Sequence, residues 1–141
     1  MIEHIVSNGT ILAIHIRPEP GPEGIRFFTP DDSALQCGEI IRPAGFVIPS
    51  HAHAPLERRV SVTQEVLVFH RGRVCADFFD EDGAKVCSRE MLPGDVLCLV
   101  SGGHGFTMLE AAHIFEVKQG PYLGEHEKRR FEPAEGEGEG G

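Results

Sequence analysis

The sequence predicts an all-β domain, and three observations carry that prediction. Short runs rich in β-branched and aromatic residues recur at the roughly 8 to 12 residue spacing of a sandwich or closed barrel, as in Gly9 to Ile16 and Val96 to Val100. Gly and Pro, 17 and 10 of the 141 residues, fall mostly between those runs. No apolar period near 3.6 residues persists anywhere, so no long amphipathic helix is expected.

Taken in order, Gly9 to Ile16 (G-T-I-L-A-I-H-I) reads as a strand, and Pro18, Pro20, Gly21, Pro22 and Gly24 then form a stiff loop that no helix could cross. Ile25 to Phe28 is a short apolar run followed by T-P-D-D-S, which suits a helical turn starting at Asp31 or Asp32. Ala34 to Arg42 returns to strand character and turns at Pro43, Ala44 and Gly45. Arg73 to Phe79 and Ala84 to Met91 flank Asp80, Glu81, Asp82 and Gly83, the pattern of a hairpin. Leu92 to Asp95 makes another turn before the buried strand Val96 to Val100, and the runs F-T-M-L-E and H-I-F-E-V-K-Q complete the set. Glu125 to Arg130 suits a turn of helix. Glu132 to Gly141 is Gly and Glu with no basic residue; it cannot bury apolar surface and is expected to be disordered. The expected organisation is one domain over 1–131 and a tail over 132–141.

Composition narrows the classes of partner. Thirteen basic against 22 acidic residues give a formal charge of −9, which argues against non-specific binding to nucleic acid or an anionic membrane and favours a small-molecule ligand or substrate. No apolar run approaches the roughly 18 residues of a membrane helix. Cys37, Cys75, Cys87 and Cys98 form no C-x-x-C pair, and the first ten residues lack the apolar segment of a secretory leader. A cytoplasmic protein with four free thiols is expected.

The chemistry concentrates between Gly45 and Gly72. His51 and His53 are two apart, so on an extended strand both imidazoles leave from one face and can share a metal ion. Glu65 opens an apolar run that would pair back alongside them and add a carboxylate. His4, His15, His70, His113 and His126 have no such spacing and read as solvated or structural.

These residues resemble the first motif of the cupin superfamily, in which two His and one Glu bind a metal. Gly45, five residues, His51, Ala52 and His53 match its first half, and Glu65, six residues and Gly72 match its second. Eleven residues, Ala54 to Gln64, separate the halves where the family has three or four. Glu57 stands at the usual distance from His53, but Gln64 occupies the place where Gly should follow it, so the ligand role goes to Glu65 and Ala54 to Thr63 becomes an enlarged loop. Gly94 to His104 resembles the second motif more loosely, with Val100 in place of Pro, the His one position early and Met108 near the usual Asn.

The resemblance implies a cupin-type double-stranded β-helix, a jelly-roll barrel. It implies His104 as a fourth ligand beside His51, His53 and Glu65. Three imidazoles and a carboxylate suit one divalent transition metal, Fe, Mn, Ni, Cu or Zn, and leave positions open for water, dioxygen or substrate. Phe106 and Met108 share the face of His104 by alternation and would line the pocket. Arg58 and Arg59 could clamp a carboxylate or phosphate if their loop covers the barrel mouth, and are otherwise a solvated face. The K-Q-G-P-Y stretch is similar to that of small metal cupins of otherwise unassigned role, which leaves Glu116, Lys118 and Tyr122 as either pocket residues or a structural corner; the resemblance also brings in the small cupins found with bacterial surface-polysaccharide sugar biosynthesis, which favours a carbohydrate-type substrate.

Two functions follow as expectations. One is a metal-dependent isomerase or dioxygenase acting on a small sugar-like or carboxylate-bearing substrate; the other is a non-catalytic binding or sensor module with a structural metal. A homodimer through an outer sheet face, with Val66 and Val68 in the contact, is common in the family.

Overall fold

The computed structural model describes residues 1–131, the Glu127 side chain apart. The first two strands, β1 (Ile2–Ser7) and β2 (Thr10–Ile16), form a hairpin. Asn8 and Gly9 join them at φ 49° and 77°, the left-handed pair that a two-residue turn needs to match strand twist. A strand was expected from Gly9; Gly9 instead completes the turn, the strand starts at Thr10, and β1 precedes it. Next come β3 (Gly24–Phe27) and β4 (Gly38–Ile41), a separate antiparallel ribbon. The helical turn expected at Asp31 or Asp32 is a tight non-helical turn instead. Its carbonyls are gathered by one side chain: the Gln36 amide donates to the backbone oxygens of Pro30, Asp31 and Ser33 and accepts from Thr29 Oγ1.

The second half follows the expected strands, except that the strand expected from Phe106 begins three residues earlier, at Gly103, and ends at Met108. These are β5 (Glu65–Arg71), β6 (Val74–Phe79), β7 (Lys85–Met91), β8 (Val96–Leu99), β9 (Gly103–Met108) and β10 (His113–Lys118), followed by one 3-10 turn, Gly124–Glu127. Gly72 turns β5 into β6 at φ 83°, and a Cβ there would collide with the Ala111 carbonyl, so both conformation and space call for Gly. The β6–β7 turn is fastened by Asp80, whose carboxylate accepts the amides of Asp82 and Ala84.

The protein is all-β with antiparallel pairing throughout. One sheet runs β1-β2-β8-β5-β10 and a second runs β7-β6-β9. Their facing sides bury Leu67, Phe69, Leu97 and Leu99 against Val74, Ala76, Phe78 and Met91. The alternation of β6 follows directly: Val74, Ala76 and Phe78 are buried while Cys75, Asp77 and Phe79 are half-buried. The other side of the large sheet packs Ile14, Ile16 and Cys98 beneath Phe28 and Cys37, so that sheet is covered on both faces. All four cysteines are free thiols. Beside Cys37, and buried, the Cys98 thiol is pushed well above its ordinary range.

The two sheets do not close into a barrel. β9 and β10 are each the outermost strand of their sheet, and the gap between them is open. Residues 42–63, where the H-x-H strand was expected, have no regular secondary structure and are exposed along their whole length. The segment ends abruptly at Gln64, which is buried and clamped. Its backbone amide donates to Gln119 Oε1 at 2.7 Å, its side-chain oxygen accepts from the Leu35 amide at 2.9 Å, and its side-chain nitrogen donates to the Val100 carbonyl at 3.3 Å. Gln64 thus points away from the face of Glu65, as strand alternation requires. Among the described residues no helix is long and apolar enough to cross a membrane. The tail Glu132 to Gly141 lies outside the described residues.

Candidate functional site

Glu65 is the first residue of β5 and takes the inner face that Leu67 and Phe69 continue. Its neighbour across β10 is Lys118, and Glu116 lies opposite Leu67 on the same face. From the other sheet, β9 presents His104 opposite Phe78 and Phe106 opposite Ala76. The sheets therefore bring the two motif residues together: His104 Nε2 lies 3.3 Å from Glu65 Oε2, with the side chains 34% and 13% exposed. The His104 ring rests on Phe106, centroids 5.6 Å apart, and Phe106 leans in turn on Phe69 at 6.4 Å. The pair stands where the core runs out into solvent.

Its electrostatics are split between two carboxylates. The hydrogen bond from His104 holds Glu65 below the ordinary carboxylate range, against the opposing effect of burial and with help from Glu116 and Lys118. Glu116 moves the other way. Desolvation first, and then its hydrogen bond with the Glu65 carboxylate, raise it. The pKa values of the two neighbouring carboxylates are thus pushed in opposite directions, the arrangement found where acid and base work side by side.

The remaining expected site residues are placed differently. His51 and His53 sit on the exposed segment 42–63 rather than on a strand. Their rings nevertheless face each other, with centroids 5.3 Å apart. His51 Nδ1 lies 2.8 Å from the Pro49 carbonyl, which can only accept, so Nδ1 donates there. Arg58 and Arg59 lie on the same exposed segment. Met108 shares the His104 face but is four residues further along β9, opposite Val74, and 51% exposed. Lys118 lies over the Tyr122 ring, its ammonium 5.6 Å from the centroid, and Tyr122 is itself 79% exposed.

The fit of a four-ligand metal can be tested on this arrangement. Glu65 and His104 offer an oxygen and a nitrogen in contact, which suits a first-row divalent ion. Among the described residues, however, no three His, Cys, Asp or Glu side chains come together as a metal-holding group. The residues as arranged supply half of the ligand set and do not fit the whole ion.

Two supporting features had escaped the sequence reading. One is the Gln64–Gln119 clamp, which fixes the start of β5 against the end of β10 and so sets where Glu65 stands; two glutamines far apart in sequence give no local signal. The other is the direct Glu65–Glu116 contact. Its trace was a Glu in the inward register of each of two apolar strands, E-V-L-V-F and I-F-E-V-K. Comparison with protein-family models, with curated proteins and with solved structures finds no match.

Proposed function

We propose that the chain is an enzyme of the small metal-cupin kind that isomerises a small oxygenated substrate, sugar-like or carboxylate-bearing, at the open end between the sheets. The observation that carries this reading is the Glu65–His104 contact at 3.3 Å. Residues singled out from two separate motifs converge from different sheets on one point, beside an aromatic wall and a second carboxylate. The finer architecture belongs to the same proposal: the two facing antiparallel sheets make a jelly roll short of the strand that 42–63 would add.

The chemistry open to these side chains as arranged is proton transfer. Glu65, held low, accepts a proton from a carbon beside a carbonyl, and the neighbouring Glu116 carboxyl or His104 imidazole returns one to the adjacent oxygen or carbon. Phe106 supplies a flat apolar surface for the carbon face of the substrate, and Lys118 draws in a substrate oxyanion. Dioxygen chemistry would need a bound metal, and hence His51 and His53 brought in as well.

The test is proton NMR in D2O with the full chain and a panel of aldoses, keto sugars and sugar phosphates. Wild type is expected to exchange a carbon-bound hydrogen of at least one of them. Glu65→Gln and His104→Ala should each slow that exchange by about a hundredfold or more, the usual worth of a positioned acid or base. Exchange at the wild-type rate in both variants would remove these residues from the chemistry. Saturable binding without exchange would support the non-catalytic binding module instead.

A further inference from the structure

The four cysteines are not placed alike. Cys75 Sγ lies 3.9 Å from Asp77 Oδ1 on β6, and Cys87 is half-buried on β7. Cys37 and Cys98 instead share one buried cluster, 9% and 1% exposed, although they belong to different elements. Cys98 stands on β8 between Ile14 of β2 and Val66 of β5. Cys37 is carried over it by the turn before β4, where its amide donates to Thr29 Oγ1 at 3.1 Å and its carbonyl accepts from the Phe28 amide at 2.8 Å. The Cys98 thiol donates a hydrogen bond to the Cys37 sulfur. That bond draws the Cys37 thiol down, against the opposing effect of burial, while Cys98 keeps its proton. The thiolate is the reactive form of cysteine, and Cys37 is also the more exposed of the two, so attack on an oxidant starts there.

The position of the pair ties it to the start of β5. Gln64 bridges two segments, its Oε1 accepting the Leu35 amide and its Nε2 donating to the Val100 carbonyl. Cys37 lies two residues beyond Leu35, and Cys98 two residues before Val100. A bond between the sulfurs would join the same two segments a second time, beside the clamp that sets where Glu65 stands. It would also close a loop from 37 to 98 that contains β4 to β7 and the exposed segment 42–63. Cross-linking so long a loop removes conformational freedom from the unfolded chain.

We propose that Cys37 and Cys98 are a site of reversible oxidative modification, closed to a disulfide by hydrogen peroxide and opened again by a small thiol, and that the disulfide fastens the start of β5 a second time. The Cys37 sulfur attacks a peroxide oxygen, the O–O bond breaks, and one water leaves a sulfenic acid on Cys37. The Cys98 sulfur attacks that sulfur, the S–O bond breaks, and the disulfide forms as a second water leaves. The thiols give up two hydrogens and two electrons in all, and one peroxide becomes two waters. The new bond is about 2 Å long, so thiols already in contact close it by side-chain rotation and a small shift of the turn that carries Cys37. None of this depends on a role for Glu65 or His104.

Two measurements test this on the folded, full-length chain. Reduced wild type is treated with a few equivalents of hydrogen peroxide, its remaining thiols are alkylated with N-ethylmaleimide in denaturant, and the digest is mapped by mass spectrometry. The Cys37 peptide should appear joined to the Cys98 peptide with Cys75 and Cys87 alkylated, and dithiothreitol should return all four thiols. The modification is overturned if Cys37 and Cys98 alkylate as fully as in the untreated chain, if they join Cys75 or Cys87 as often as each other, or if Cys37 passes to sulfinic acid without a cross-link. The second measurement is the melting temperature of each form. Oxidation should raise it by about 5 °C or more in wild type and leave that of Cys37→Ala unchanged. Gln64→Ala should then lower the melting temperature of the oxidised chain by less than half as much as that of the reduced chain, because the disulfide still holds the two segments together. No rise on oxidation, or an equal loss at Gln64→Ala in both forms, overturns the second fastening of β5, and the peptide map judges the modification on its own.

Discussion

The central strands β5 and β8 carry an acidic side chain at each end, and the two ends are built on opposite plans. At one end Asp95, just before β8, is 1% exposed and surrounded by donors. Arg17 grips both its oxygens at 3.0 and 2.9 Å, His15 Nε2 donates at 2.9 Å and the Leu92 amide at 2.9 Å. Roughly 14 Å away along the strands, Glu65 meets one imidazole and a second carboxylate at the edge of solvent. The closed end spends its polarity on holding β2, β8 and the β7–β8 turn together. The open end instead sets two neighbouring carboxylates whose pKa values are pushed apart, Glu65 down and Glu116 up, and it has no comparable web of donors.

The contrast breaks most visibly at Asp95. Replacing it with Ala strands the partly exposed Arg17 guanidinium and leaves the His15 and Leu92 N–H groups without their acceptor, so a loss of about 3 kcal/mol is expected. Chemical denaturation with an unchanged m-value would measure it. A loss below about 1 kcal/mol would mean that the cluster is not what ties the turn down. His15 Nδ1 has no partner in this cluster.

A smaller effect at the same end depends on pH. Burial alone would raise Asp95, but Arg17, the Leu92 amide and His15 outweigh it and hold the carboxyl below its ordinary value. A group whose pKa is lower folded than unfolded adds stability above its unfolded pKa, about 3.9, and loses it as pH falls through the folded value. Wild type should therefore lose stability below about pH 4, and Asp95→Asn should show a shallower acid limb in melts recorded between about pH 2 and 6. Equal slopes in the two proteins would take Asp95 out of the acid transition.

How much of this was visible beforehand follows from the physics of each signal. The hairpin around Asp80 and Gly83 and the strands from β5 to β10 are local patterns of alternation and turn chemistry, and they could be read directly. Glu65 and His104 were expected for another reason, a resemblance in their spacing to Gly72 and, more loosely, to Gly94, and the sheets do bring the two side chains together. The β1–β2 hairpin is equally local, with Asn8-Gly9 as a plain two-residue turn between two β-branched runs. The strand expected at His51 was a local inference too. It failed because strand character in Phe46 to Ile48 is a propensity that needs a neighbouring edge, and no local pattern says whose edge that is. The Asp95 cluster joins residues up to 80 positions apart and leaves no local trace.

The smallest expected change lies at the open end. Glu65→Gln keeps the side-chain shape, can still accept from His104, and can still donate to or accept from Glu116, while it ends the repulsion between neighbouring carboxylates. Its cost to stability should stay under about 1 kcal/mol, a third or less of that at Asp95, in the same denaturation experiment. The same substitution is expected to slow substrate hydrogen exchange about a hundredfold. Stability held with chemistry lost would place function at this end; a loss comparable to that of Asp95→Ala would make Glu65 a second structural anchor. In that case the raised Glu116 beside it would be only a consequence of packing two strands whose glutamates happen to share a face.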